Sequence, residues 1–248
     1  MAMTGDQMKE IPILFSAPMV RATLDGRKTQ TRRVINPQPE YQNGLWLFKW
    51  GAACSGDTMP VVIGHATQSA CPYGTPGDRL WVRENWRVGA WAWGANLLAI
   101  DYLADSFYRK DWLRVPSDQF ERLLNQSIED ARKHFGVQSQ YKWKPGESPC
   151  RVRPSIHMPR WASRITLELV NVRVERVQSI SEEDAVAEGF EESLDGGDGV
   201  FTDVYGHISA RENFSGLWDH INAKRGFGWD ANPWVWVVEF KLQETPCT

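Results

Sequence analysis

Cysteine is scarce in this chain: four in 248 residues, at positions 54, 71, 150 and 247, with no CxxC pair among them. That spacing excludes a disulfide framework of the secreted kind and the zinc modules built on paired thiolates. Cys54, His65 and Cys71 match no standard ligand pattern, so the thiols read as free, and neither a metal nor another cofactor is expected. Long apolar runs are missing too. The longest uncharged stretch near the middle, Val88 to Ile100, stops well short of the ~20 residues that span a bilayer. The opening MAMTGDQMKE lacks the basic-then-apolar order of a signal peptide, so the expected setting is the cytoplasm, with no membrane partner. There is no excess of base: 28 Lys+Arg stand against 31 Asp+Glu, a formal net charge of -3 and a pI near 6.0. A globally basic nucleic-acid coat is thereby excluded. An internal repeat and a strand–helix rhythm are also absent, which sets aside solenoids and parallel α/β sheets.

What is abundant is tryptophan, 13 residues of 248, either core anchors or exposed stacking platforms. Ser16 suits a helix N-cap, Pro18 its first turn and Gly26 its left-handed stop, with Phe15 stapled onto Val20. A basic turn follows, Arg27 to Arg33. Residues 36–76 are rich in Pro, Gly, Gln and Ser, with Trp46 and Trp50 embedded, and read as a partly ordered insertion. Gly77-Asp78 opens a strand with Leu80 and Val82 on one face and Arg79, Trp81 and Arg83 on the other. A second insertion, about 87–150, holds a helix over Ser117 to Phe135 with its stripe at Phe120, Leu123, Leu124, Ile128, Ala131 and Phe135. Ile165, Leu167 and Leu169 alternate, then Val172 and Val174 resume in the opposite phase, predicting a bulge near Val170. Ser181–Asp184 and Ser209–Glu212 read as capping boxes, the first for a helix ending at Gly189. The segment from Phe190 to Phe201 reads as a mobile acidic loop. A last strand places Trp234, Trp236, Val238 and Phe240 on one face. The fold class is therefore α+β: a mixed, mainly antiparallel sheet or small barrel with peripheral helices.

Charge is segregated along the chain. Arg21 to Arg33 carries five bases, Arg151 to Arg164 four arginines without an acid, and Glu182 to Asp198 eight acids without a base. The basic segments either form a local phosphate-attracting patch or pair with the acidic helix as surface. Lys28 and Thr31 converge if their turn is helical and point to opposite faces if it is extended. Like charge from Arg27, Arg32 and Arg33 disfavours the protonated Lys28, which would prepare it as a base for the Thr31 hydroxyl.

Gly26-x-Lys28-x-x-Thr31-x-Arg33 resembles the G-x-K-x-x-E-x-R signature of ASCH domains, with Thr31 standing where the signature has Glu. Gly77 to Glu84 resembles that family's next strand, Ile180 to Phe190 its later helix, and Trp236 to Leu242 its closing strand. The resemblance implies a PUA-like small mixed β-barrel over residues 11–243, a single domain elaborated by the two insertions. Cys71 to Gly74 and Pro154 to Trp161 extend the likeness to uncharacterised ASCH proteins of phages and prophages, which implies a bacterial host cytoplasm. The Lys-x-x-Thr turn is similar to that of an ASCH subgroup hydrolysing 4-acetylcytidine, whose triad falls on Lys28, Thr31 and Glu188.

The resemblance implies an RNA- or nucleotide-binding protein, with a basic cleft between the Gly26–Arg33 turn and the Ser181–Gly189 helix. Its expected ligand contacts are Arg27, Arg32, Arg33, Arg83 and Arg160, with Arg164 beside them, and Trp81, Trp86 and Trp161 as stacking platforms. The alternative is an amidohydrolase in which Lys28 takes the proton of Thr31, the hydroxyl attacks the amide carbonyl and Glu188 protonates the leaving amine. A third reading is a phage accessory protein acting through protein contacts. The sequence carries no signal for an oligomeric state.

Overall fold

A computed structural model describes residues 8–51, 53–55, 69–92, 94–107, 110–138, 140–192 and 208–243. In chain order its main elements are β1 (Glu10–Leu14), α1 (Ala17–Leu24), β2 (Gln30–Val34), β3 (Glu40–Gln42), β4 (Leu45–Leu47) and β5 (Ala53–Ser55). Then come β6 (Arg79–Arg83), β7 (Trp86–Ala92), β8 (Leu97–Tyr102), β9 (Lys110–Arg114), α2 (Ser117–Phe135), β10 (Thr166–Arg176), α3 (Glu182–Ala187), α4 (Ala210–Asn222) and β11 (Trp234–Leu242). The architecture is α+β. Three sheets are formed, ordered β1-β6-β10-β11-β2, β3-β4-β5 and β7-β8-β9. Among the described residues none closes into a barrel.

The chain divides into two compact units. The first comprises Met1–Ile11, Ala22–Leu80 and Leu167–Thr248, the second Pro12–Arg21 and Trp81–Thr166. In the first, β11 pairs antiparallel with β10 and β2. Its register with β10 slips between Leu169 and Asn171, which places the bulge at Val170 where the change of phase predicts it. β11 is covered on both faces. Val235 and Val237 pack with Val177, Ile180 and Ala185, and with Ala210, Phe214 and Trp218 of α4. On the opposite face Trp234 meets Trp46 and Phe48, and Trp236 stacks on Trp50. The face read from the sequence is thus one of two buried faces, and Trp46, Phe48 and Trp50 supply its aromatic cover.

Both predicted caps form. The Ser181 hydroxyl accepts from the Asp184 N–H, and Ser209 and Glu212 make a reciprocal capping box. The Asp184 carboxylate does not return to the Ser181 N–H; it is drawn into ion pairs described below. The second unit holds an antiparallel meander, β7-β8-β9, against α2. Its strands are absent from the sequence reading because the alanines, glycine and leucines of Trp86–Ala92 and Leu97–Tyr102 give no two-residue alternation. Among the described residues no helix is long and apolar enough to cross a membrane.

Candidate functional site

α1 ends at Leu24 and the chain turns through Gly26, so Lys28 enters the first unit just before β2. There it meets the end of α3. The Lys28 Nζ donates to Glu188 Oε2 at 2.7 Å, to the Glu188 carbonyl at 2.8 Å and to the Gln30 carbonyl at 2.9 Å. Three N–H donors thus find three acceptors. The two side chains are closed to solvent, at 0% and 3% exposure. Burial pushes the Lys28 amine below its ordinary value; the Glu188 carboxylate pulls it back up, and Arg33 and Arg32 add to the depression.

Arg32 lies beside this pair. Its guanidinium donates to Asp184 at 2.6 Å and Glu175 at 3.3 Å and reaches Glu188 at 3.5 Å. Arg173 joins the same cluster through Glu175, Asp184 and Glu239. Burial pushes Asp184 up, but the Gln30 amide and the Arg32 charge outweigh it and hold the carboxyl below its usual range. The expected cleft between the basic turn and the acidic helix is therefore occupied by ion pairs. Lys28 and Arg32 face inward to carboxylates, and Arg32, with no exposed side-chain surface, does not present itself to an external phosphate. Arg27 is exposed and pairs with Asp25 and Glu191.

Thr31 is not brought to Lys28. Gln30 and Arg32 both reach Asp184, so strand alternation sends Thr31 to the opposite face of β2, opposite Val238 of β11. The extended alternative for the turn is the one realised. Lys28 and Glu188 converge across 160 residues of sequence, whereas the third member of the triad does not join them.

In the second unit the expected platforms are already covered. Trp81 is 8% exposed, with the Arg83 guanidinium 4.7 Å and that of Arg160 5.9 Å from its ring centroid. The arginines occupy the indole faces as cation–π partners, where a base would otherwise stack. Trp86 is buried, and Trp161 packs edge-on against it while its Nε1 donates to Gln119. Arg164 is held by Glu84 and Asp105.

Sequence reasoning missed an aromatic cavity of about 460 Å³ in the first unit. Trp50, Tyr73 and Trp236 form its walls, with Ile35, Asn36 and Lys49 also lining it. It opens on the β11 face that carries Trp236, hence on Thr31's side of β2 rather than Lys28's. Trp50 and Trp236 stack at 4.8 Å with 27° between planes, and Phe48 backs Trp50 at 4.9 Å. Burial pushes the Tyr73 phenol up while the Arg33 charge opposes the rise, which places Arg33 within electrostatic reach of this wall. The clue in the sequence was a pair of tryptophans in a polar, Pro- and Gly-rich segment, where no periodic core explains them.

Among the described residues no group of three His, Cys, Asp or Glu is arranged to hold a metal ion. Cys71 is a buried free thiol, pushed by burial up to about 12. His65, Cys247 and Trp93, the Cys54 side chain and most of the acidic Phe190–Phe201 segment lie outside the described residues. No protein-family model, no curated protein and no solved structure matches the chain.

Proposed function

We propose that this chain is a nucleic-acid- or nucleotide-binding protein of the ASCH, PUA-like type, and that it takes a nucleobase into the cavity walled by Trp50, Tyr73 and Trp236. The observation that carries the reading is the juxtaposition of that aromatic wall with Lys49 and the nearby Arg33. Cavities of roughly 300–1,000 Å³ with apolar walls and a few polar groups are the usual form of small-ligand sites. Aromatic rings engage any base through its π-face, and cations at the rim suit the phosphate that follows. The basic contacts proposed are thus Arg33 and Lys49, with exposed Arg27 as an outer one. The test is a titration with nucleosides, nucleotides and single-stranded RNA at two salt concentrations. Nucleotide and RNA affinities are expected to fall as salt rises, and nucleoside affinity to stay nearly constant.

Amide hydrolysis is the second reading, favoured by the Lys28–Glu188 contact and the depressed Lys28 amine. It lacks a nucleophile in this arrangement, because Thr31 lies on the other face. The expected outcome is no deacetylation of 4-acetylcytidine by the intact chain. Turnover that disappears in both Lys28→Ala and Thr31→Ala would reinstate the hydrolase.

A further inference from the structure

The second unit has a cavity of its own, about 430 Å³, between α2 and the Arg151–Pro159 segment. Arg122, Arg151, Arg153 and His157 line it, with the carboxamides of Gln119 and Gln126. A carboxamide is ordinarily both donor and acceptor, and here the acceptor end of each is engaged. Gln119 Oε1 accepts from the Trp161 indole at 2.9 Å, and Gln126 Oε1 accepts from Arg153 Nη2 at 3.2 Å. An indole N–H and a guanidinium can only donate, so each glutamine oxygen is engaged there, while neither NH₂ has a hydrogen-bond partner among the described residues.

Several main-chain acceptors of the lining are also taken. The Trp86 carbonyl accepts from the Arg153 N–H, the Arg153 carbonyl from Trp86, and the Pro154 carbonyl from His157. The Arg151 carbonyl faces Arg153 Nη1 at 3.4 Å. Asp130 grips the Arg151 side chain at 2.6 Å and accepts from its main-chain N–H, neutralising one of the three guanidiniums. Arg153 and Arg122 form no ion pair with a carboxylate among the described residues. Arg153 is 8% exposed, 5.2 Å over the Trp86 ring, and burial pulls it below its ordinary value. Two guanidiniums without an ion-paired carboxylate and two amide groups therefore line this space, beside the apolar side chains of Leu123 and Val152.

We infer that this cavity binds a small organic phosphate monoester, its phosphate held by Arg122, Arg153 and the two glutamine amides, its organic part against Leu123 and Val152. A monoester carries between one and two negative charges at neutral pH and three acceptor oxygens, which matches a pair of guanidiniums with forked donors. The proposal is independent of the aromatic cavity of the first unit and stands or falls without it.

Calorimetric titration of the full chain with phenyl phosphate tests it, alongside benzoate, inorganic phosphate and the diester methyl phenyl phosphate. Saturable binding of phenyl phosphate is expected, tighter than that of the other three probes. Arg122→Ala, at an exposed position, and Gln126→Glu, which sets a carboxylate against Arg153, are each expected to weaken it about ten-fold. Thermal unfolding of Arg122→Ala is expected to match the parent, so its loss of binding reports the site. A phosphoserine peptide is expected to compete no better than inorganic phosphate. No saturable binding, benzoate or the diester equalling phenyl phosphate, a peptide that outcompetes it, or affinities untouched by both substitutions would each overturn the proposal.

Discussion

An ammonium removed from water needs every proton matched, and Lys28 achieves this with two carbonyls and one carboxylate. The arrangement is unforgiving because loss of Glu188 leaves the buried ammonium with carbonyls alone, and loss of Lys28 leaves Glu188 with only Arg32 at 3.5 Å. Glu188→Gln and Lys28→Met are each expected to destabilise the fold by about 3–5 kcal/mol. The double variant Lys28→Met/Glu188→Gln is expected to lose clearly less than the sum, since it removes both charges together. Urea unfolding of the four proteins measures this, and strict additivity would contradict the coupling. The same residues show what was legible in the sequence. Lys28 and Glu188, singled out from two separately patterned segments, are in contact. Thr31 does not join them, because its direction depends on whether residues 28–31 are helical or extended, and that is decided by pairing with β11, where Val238 lies 207 residues further along the chain. Arg32 was expected to meet a ligand; its guanidinium is instead held by Asp184 and Glu175, contacts that a list of basic positions cannot reveal.

Elements with their own punctuation were readable: α1, α2 and the capped α3 and α4 all lie where caps, stripes and stops place them. The bulge in β10 was readable from a reversal of phase alone. The β7-β8-β9 meander was not, because β7 and β8 are buried along most of their length and lose the alternation that announces a strand. One stop does more than end a helix. Gly189 has φ +93°, and a Cβ there would lie 2.9 Å from the Ala22 Cβ and 3.2 Å from the Lys28 Cβ. Close approach of α3 to α1 and to the basic turn thus requires this glycine. Gly189→Ala combines left-handed strain with overpacking and is expected to cost about 2–4 kcal/mol. Gly26→Ala has left-handed strain but no neighbour within 4 Å, and is expected to cost less. Comparison of the two chemical-denaturation midpoints checks the difference; equal losses would deny the packing role of Gly189.

For the molecule as a whole, a net charge of -3 describes no region of it. Several bases and carboxylates are sorted into buried or half-buried pairs, and this sorting shapes the acid response. Burial pushes Asp78, Asp130 and Asp184 upward, but donors reverse it: the Lys9 and Thr75 N–H groups, Arg151, and Gln30 with Arg32. All three are held below the 3.8 of the unfolded chain. Their contribution to stability is therefore complete above that value and drains away as pH falls through the lower folded values. Urea midpoints are expected to drop between pH 5 and pH 2.5, less steeply in Asp184→Asn, and an unchanged slope in that variant would contradict the assignment. Nucleobase binding in the cavity of the first unit is tested by titrating a nucleotide into the parent chain and into Trp50→Ala. A base seated against the Trp50–Trp236 wall predicts saturable binding that Trp50→Ala weakens by about ten-fold, in keeping with roughly 1–3 kcal/mol per stacked base. Equal affinity in the two proteins, or no binding by the parent, would contradict it.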